Sequence, residues 1–307
     1  MVTETKTQTR QRGMTKKTKD RIFITLMLAL PIAQFLVFYV YVNLDSILLA
    51  FRMQNSDGTL VWTLANFKQM FTEFGAPGSE ILGALKNTLI FFAINLLVIL
   101  PLSFLLCYFL YKRVAGYKAF RAIFYLPNII SASVLVILYK YVIEINGPLA
   151  YVVDNLFGIE IPKFLELTPD ALVVILIYTV FFGLGGNLVL FSGAMNNIDS
   201  GVVDAARVDG VNMWQEIRHV VIPMIWPTLS TVILFAFIGI FNASGPILLF
   251  TRGDYNTYTI AYWIYDRVTF SGELYYPAAV GFFFTMIGMP IAMFMWWLMT
   301  RKDNAMM

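Results

Sequence analysis

Few of the residue types that perform chemistry stand in workable groupings in this chain. It has one cysteine, Cys107, and one histidine, His219. A single cysteine forms no internal disulfide and no thiolate cluster; inside an apolar run, Cys107 reads as a small core residue. A histidine without cysteines or carboxylates at ligand spacing is a poor metal candidate. No G-x-x-x-x-G-K-[ST] stretch occurs, so the sequence does not predict nucleotide binding by a P-loop. Neither a nucleophile with its base nor a metal set is visible, as a membrane enzyme would need. The most informative stretch is residues 199–227, DSGVVDAARVDGVNMWQEIRHVVIPMIWP. Asp199 or Ser200 can cap a helix by accepting from an orphan backbone amide. Val203, Ala206, Val211, Trp214 and Ile217 are apolar, and Gly210 interrupts them at a position free to take positive φ. The pattern predicts two short helices joined at a glycine elbow. Its chemistry is recognition: either the apolar groups form a partner surface or they pack beneath their own bundle.

The elements that must position this elbow are membrane spans. Of 307 residues, 59% are hydrophobic and 13% are charged, whereas soluble domains are nearer half apolar and a quarter charged. A helix needs about 20 apolar residues to cross a bilayer core. Six runs qualify, at residues 22–42, 89–110, 122–143, 171–191, 223–250 and 277–299. The fold class expected is therefore all-α, a polytopic bundle of six transmembrane helices. Residues 1–20 are a polar, basic leader expected to be disordered, and 21–307 form the transmembrane domain. The first run is longer than a signal-peptide core and lacks an A-x-A site, so it reads as a permanent span. Pro101 and Pro290 should kink their helices, and the cluster Gly183, Gly185, Gly186 should allow close helix approach.

Charge placement gives the orientation. Lys6, Arg10, Arg12, Lys16, Lys17, Lys19 and Arg21 precede the first run. Lys112, Arg113, Lys118 and Arg121 follow the second, and Arg301 and Lys302 follow the last. With six spans these all fall on one side, while in the loops after the first and third runs the acids outnumber Lys and Arg. The positive-inside rule then puts both termini in the cytoplasm. The basic leader can also touch anionic membrane lipid. Polar groups inside the runs are mild, among them Asn128, Asn187, Asn242 and Ser244. These four are candidates for a substrate path, although such residues also serve as helix-packing glue. No run holds a central carboxylate or Lys–Asp pair, which argues against a proton- or sodium-coupled carrier.

Asp204-Ala205-Ala206, three residues, Gly210, then Val220, Ile222-Pro223 and Pro227 resemble the cytoplasmic EAA loop of binding-protein-dependent ABC permeases, E-A-A-x3-G-x9-I-x-L-P. Both alanines, the glycine, the proline and all the spacing are kept. Asp204 replaces Glu, Val220 replaces Ile and Ile222 replaces Leu. Residues 119–128 with Ser131, the Thr251-Arg252-Gly253 and Ile264-Tyr265-Asp266 stretches, and Asn66-Phe67 after the first span resemble carbohydrate-type permeases. The resemblance covers nearly the whole chain.

This resemblance implies the fold of a type I ABC importer permease, maltose/multiple-sugar-permease-like, in a bacterial cell membrane. It implies that the loop at 199–223, with Asp204, Ala205, Ala206, Gly210 and Pro223, couples to ATPases. It further implies a second permease subunit, two ATP-binding subunits and an extracellular solute-binding protein, with no nucleic acid among the partners. ATP and Mg would belong to the ATPases, with no cofactor held by this chain and no catalysis by it. The expected cargo is a sugar or oligosaccharide. A permease for an amino acid or polyamine, and a secondary carrier, remain the alternatives.

Overall fold

The computed structural model describes residues 16–55, 57–158, 162–167 and 169–306, with the side chains at 18, 207 and 302–306 outside the description. The leader expected over 1–20 falls outside it up to residue 15; from Lys16 the chain is helical. The first helix, α1, occupies residues 16–50 and widens into π-turns at Phe35–Tyr41. Its apolar side chains are exposed along most of its length. A small antiparallel hairpin follows, β1 (Arg52–Gln54) against β2 (Leu60–Trp62), with Arg52 opposite Trp62. The Arg52 guanidinium lies 4.7 Å from the Trp62 ring centre. This hairpin is the one departure from an all-α fold among the described residues.

The remaining elements are helical. They are α2 (Ala65–Phe74), α3 (Glu80–Tyr111), α4 (Tyr117–Tyr125), α5 (Ala132–Ile143), α6 (Pro148–Phe157) and α7 (Asp170–Asn196). The short α8 (Ser200–Val208) and α9 (Met213–Met224) precede α10 (Trp226–Ile238). Then come α11 (Ile247–Phe250), α12 (Ile260–Thr269) and α13 (Tyr275–Met306). Five segments are long and apolar enough to cross a membrane: Lys19–Ala50, Glu80–Tyr111, Ala132–Phe157, Asp170–Asn196 and Tyr275–Arg301. A sixth arises if α9 and α10, bent by 81° at Ile225, count as one.

Two runs differ from the hydropathy reading. The run at 122–143 is not one helix: α4 ends at Tyr125, Leu126–Asn128 forms a 3-10 turn, and α5 starts at Ala132. Pro127 removes a backbone donor in this turn, and the backbone leaves the helical region at Ser131, whose ψ is 134°. The run at 223–250 ends as a helix at Ile238; a turn through Gly245, whose φ is +54°, leads to α11. Pro101 does not interrupt α3. A π-turn at Asn95–Ile99 precedes it and absorbs the missing donor, and a second π-turn at Ile217–Val221 does the same before Pro223.

The bundle is built around α3 and α7, which run parallel. Ser103 Oγ donates to the Leu184 carbonyl at 3.0 Å, and Cys107 Sγ to the Leu188 carbonyl at 3.2 Å. The i, i+4 spacing on both helices fixes their register. Phe104 meets Phe191 edge-on at 5.9 Å. Gly183 admits the Ile99 side chain, and Gly185 admits Asn128 and the Phe124 carbonyl. A core of Phe104, Tyr108, Phe191, Met195, Val221 and Trp226 lies at the end of the bundle that carries Gly210, the elbow face. Further cores lie toward the far face, around Tyr178 and Phe250 and around Trp263 and Phe284.

A Cβ at position 185 would lie 2.8 Å from the Phe124 carbonyl oxygen and run into Asn128. Gly185→Val is therefore expected to lower stability by about 1–3 kcal/mol. Fluorescence-detected size-exclusion melting in detergent reads this as a lowered midpoint; an unchanged midpoint would show that α4 does not press on α7.

Candidate functional site

The elbow between α7 and α10 is closed by local chemistry. Asp199, just before α8, accepts from the Gly201 amide through Oδ1 at 2.7 Å, so it rather than Ser200 supplies the cap. At the other end of α8, Gly210 takes φ +71°. The Val211 amide reaches back to the Ala206 carbonyl at 3.1 Å. This six-to-one bond around a left-handed glycine is a Schellman closure. One residue later Asn212 starts α9 with a capping box: Asn212 Oδ1 accepts from the Gln215 amide at 3.0 Å, and Gln215 Oε1 accepts from the Asn212 amide at 2.9 Å. A helix stop and a helix start abut, and the elbow gains a fixed angle with almost no loop.

The apolar residues of the segment divide between two sides. Val203, Ala206 and Ile217 are buried against the bundle. Val208 is 88% exposed and Trp214 65%, with Val202 and Met213 beside them on the outside. The inward set packs beneath its own bundle, and the outward set is left exposed. Asp204 and Ala205 lie on the exposed side of α8, Ala206 faces inward, and Pro223 is exposed after the π-turn. Arg218 and His219 are also exposed; His219 Nδ1 lies 3.1 Å from the Gln215 carbonyl.

One inward residue of α9 is charged. Glu216 is buried, and its Oε1 pairs with Lys112 Nζ at the end of α3. The Tyr108 ring centre lies 5.6 Å from the same Nζ. Sequence reasoning used Lys112 only as a topology charge and passed over Glu216. The signal available was Glu216 standing next to Ile217 on the inward side of α9, but its partner belongs to a distant part of the chain.

At the far face the 252–256 loop is strained: Arg252, Tyr255 and Asn256 have φ of +55°, +58° and +59°. Asn87 Nδ2 donates to the Asn256 and Tyr258 carbonyls, each at 2.8 Å, and Thr88 Oγ1 accepts from the Ile260 amide at 2.9 Å. The Tyr258 hydroxyl donates to Asp266 at 3.1 Å. Burial, together with the Asp266 carboxylate, pushes its pKa up to about 12, so it remains a donor at neutral pH.

The four candidate path residues do not converge. Asn242 opens onto a cleft of about 490 Å³ between α10 and α13, lined also by Phe241, Thr285 and Trp296. Asn128, Asn187 and Ser244 do not line it. Asn128 lies against α7 at Gly185, Asn187 is half-buried, and Ser244 is exposed in the turn after α10.

Residues 88–306 match the family model of the binding-protein-dependent transport system inner membrane component. The lactose transport system permease protein LacF of Rhizobium radiobacter is 27% identical over 73% of this chain and 80% of its own length. The polygalacturonan/rhamnogalacturonan transport system permease protein YteP of Bacillus subtilis is 26% identical over 91% of this chain and 90% of its own. Among solved structures, a chain of a bacterial ABC transporter involved in import of the acidic polysaccharide alginate superposes with a TM-score of 0.81 at 22% identity, covering 93% of this chain and 98% of that one.

The elbow itself is open to test. Gly210→Ala forces a side chain into left-handed backbone at about 1–2 kcal/mol, and Asn212→Ala removes a cap at about 1 kcal/mol. Hydrogen exchange at the Val211 and Gln215 amides should quicken roughly five-fold or more in each. Protection equal to wild type would mean the bundle, not these caps, sets the angle.

Proposed function

This chain belongs to the binding-protein-dependent transport system inner membrane components, and we propose that within such a system it is one of two permeases in an ATP-driven importer of a sugar or oligosaccharide. The saccharide transport named for the relatives supports the cargo class. The observation that carries the mechanism is the exposure of apolar side chains on the elbow, Val208 and Trp214 above all, on helices whose angle is fixed by two abutting caps. Exposed apolar side chains on a rigid elbow suit a partner surface. The occupant proposed is an ATP-binding subunit, one for each permease, with an extracellular binding protein docking at the opposite face.

In this reading Asp204 and Ala205 face the ATPase groove. Ala206 keeps α8 close to its own bundle, Gly210 turns the chain back, and Pro223 marks its return to the membrane. ATP and Mg are bound and used by the ATPase subunits, and this chain performs no catalysis. The Lys and Arg bias supports an orientation with the elbow face and both termini in the cytoplasm. The exposed apolar length of α1 is covered by lipid and by the second permease. Rocking of one bundle against the other, driven through the elbow, gives alternating access. Of the four path candidates, Asn242 in the α10–α13 cleft is assigned to the path, whereas Asn128, Asn187 and Ser244 do not line that cleft.

Val208→Asp and Trp214→Ala should each weaken retention of the ATPase subunits roughly ten-fold in detergent pull-downs while membrane insertion stays normal. Full retention in both would sink the docking assignment. For the path, Asn242→Cys should react with an impermeant maleimide at a rate that changes when ATP and vanadate are added. A site closed to the reagent from both sides in every state would remove Asn242 from the path.

A further inference from the structure

The helix α3 carries an ion pair at each end, buried at the elbow face and partly exposed at the far face. It has 32 residues, which at 1.5 Å per residue is roughly 48 Å, longer than a hydrocarbon core. At the elbow face Lys112, the residue that follows its last turn, holds Glu216 of α9. The side chains are 18% and 8% exposed. At the far face Glu80, in the first turn of α3, accepts from Arg267 Nη2 at 2.8 Å and from Trp263 Nε1 at 3.3 Å, both on α12. Arg267 also pairs with Glu273 at 3.4 Å, and its guanidinium lies 5.4 Å from the ring centre of the buried Trp263. Between the two ends, the bonds of Ser103 and Cys107 to carbonyls of α7 fix α3 in register with its neighbour.

The first turn of α9 faces two ways. Trp214 points outward, while Glu216, two residues on in the same capped turn, points into the bundle. A partner that moves Trp214 therefore moves Glu216. A buried ion pair is a poor device for stability alone, since an apolar pair of similar volume serves as well or better. Its particular property is that it holds one register and is costly to break from either side. We propose that Lys112 and Glu216 are a positioning pair for transport. They deliver displacement of the elbow into α3, and α3 carries it to the Glu80–Arg267 pair at the far face. This is a second route beside the covalent one through Ile225 into α10, and it rests on the elbow being the ATPase contact.

The test uses the complete reconstituted importer with its binding protein, and a reporter at the far end of α3. Leu82→Cys is exposed there, and the native Cys107 is buried and does not compete for label. The rate of labelling by an impermeant maleimide is compared with and without ATP and vanadate. With the natural pair the rate should change on trapping. In Glu216→Gln and in Lys112→Met that response should shrink roughly ten-fold, with ATPase attachment and basal hydrolysis held within about two-fold. The exchanged pair Lys112→Glu with Glu216→Lys should regain most of it. An undiminished response in both single variants overturns the proposal. So does a loss that the exchanged pair fails to repair, or one that merely parallels lost ATPase attachment. Absence of any ATPase from the complex with the natural pair would instead refute the transport reading on which the proposal rests.

Discussion

Inside a bilayer no water relieves an unpaired polar group, so the polar side chains of these spans, and the peptide groups at their ends, must find partners within the protein. Ser103, Cys107 and Tyr125 donate to α7 carbonyls at 184 and 188, and Tyr139 to the carbonyl of Val174. Lys140 reaches the carbonyls of Leu249 and Phe250, at the end of the short helix α11. Asn87 and Thr88 close the far loop in the same way. The π-turns before Pro101 and Pro223 let the helix continue past a missing donor. Such bonds also fix which helices move together. The α3–α7 pair is tied backbone to side chain in register, whereas α1 is left with most of its apolar surface outside the bundle.

That rigidity gives the elbow its meaning. A segment of two short helices would fray by itself, because each is too short to be stable alone. Here the caps at Asp199, Gly210 and Asn212 meet the terminal amides and carbonyls, and Val203, Ala206 and Ile217 anchor the segment beneath the bundle. What remains outside is a small apolar face with a defined angle. A face held in this way can pass on a push, and a flexible loop cannot.

The sequence shows these features unequally, and the difference is physical. The elbow was legible because its determinants are local: a positive-φ glycine and apolar residues at helical spacing. The capping box at Asn212 and Gln215 is equally local and went unread. Six apolar runs were legible from hydropathy, but not the breaks within them. The third breaks around Pro127, and Gly239, Asn242, Ser244, Gly245 and Pro246 together turn the fifth, a cluster of breakers that apolar content outweighed. Asn66 was noticed only by resemblance; its role is to donate to the carbonyls of Ala50 and Arg52, closing the chain after α1. The Lys112–Glu216 and Glu80–Arg267 pairs were not legible, because partners remote in sequence meet only through the packing of α3 against the rest.

The central claim is that this chain is one subunit of an ATP-driven assembly that docks at the elbow. The most direct measurement is purification of a tagged chain from its native membrane in mild detergent, with mass spectrometry of what accompanies it. The account predicts a second permease of similar size together with an ATP-binding subunit. A homo-oligomer without any ATPase, taken from cells in which uptake is active, would contradict it.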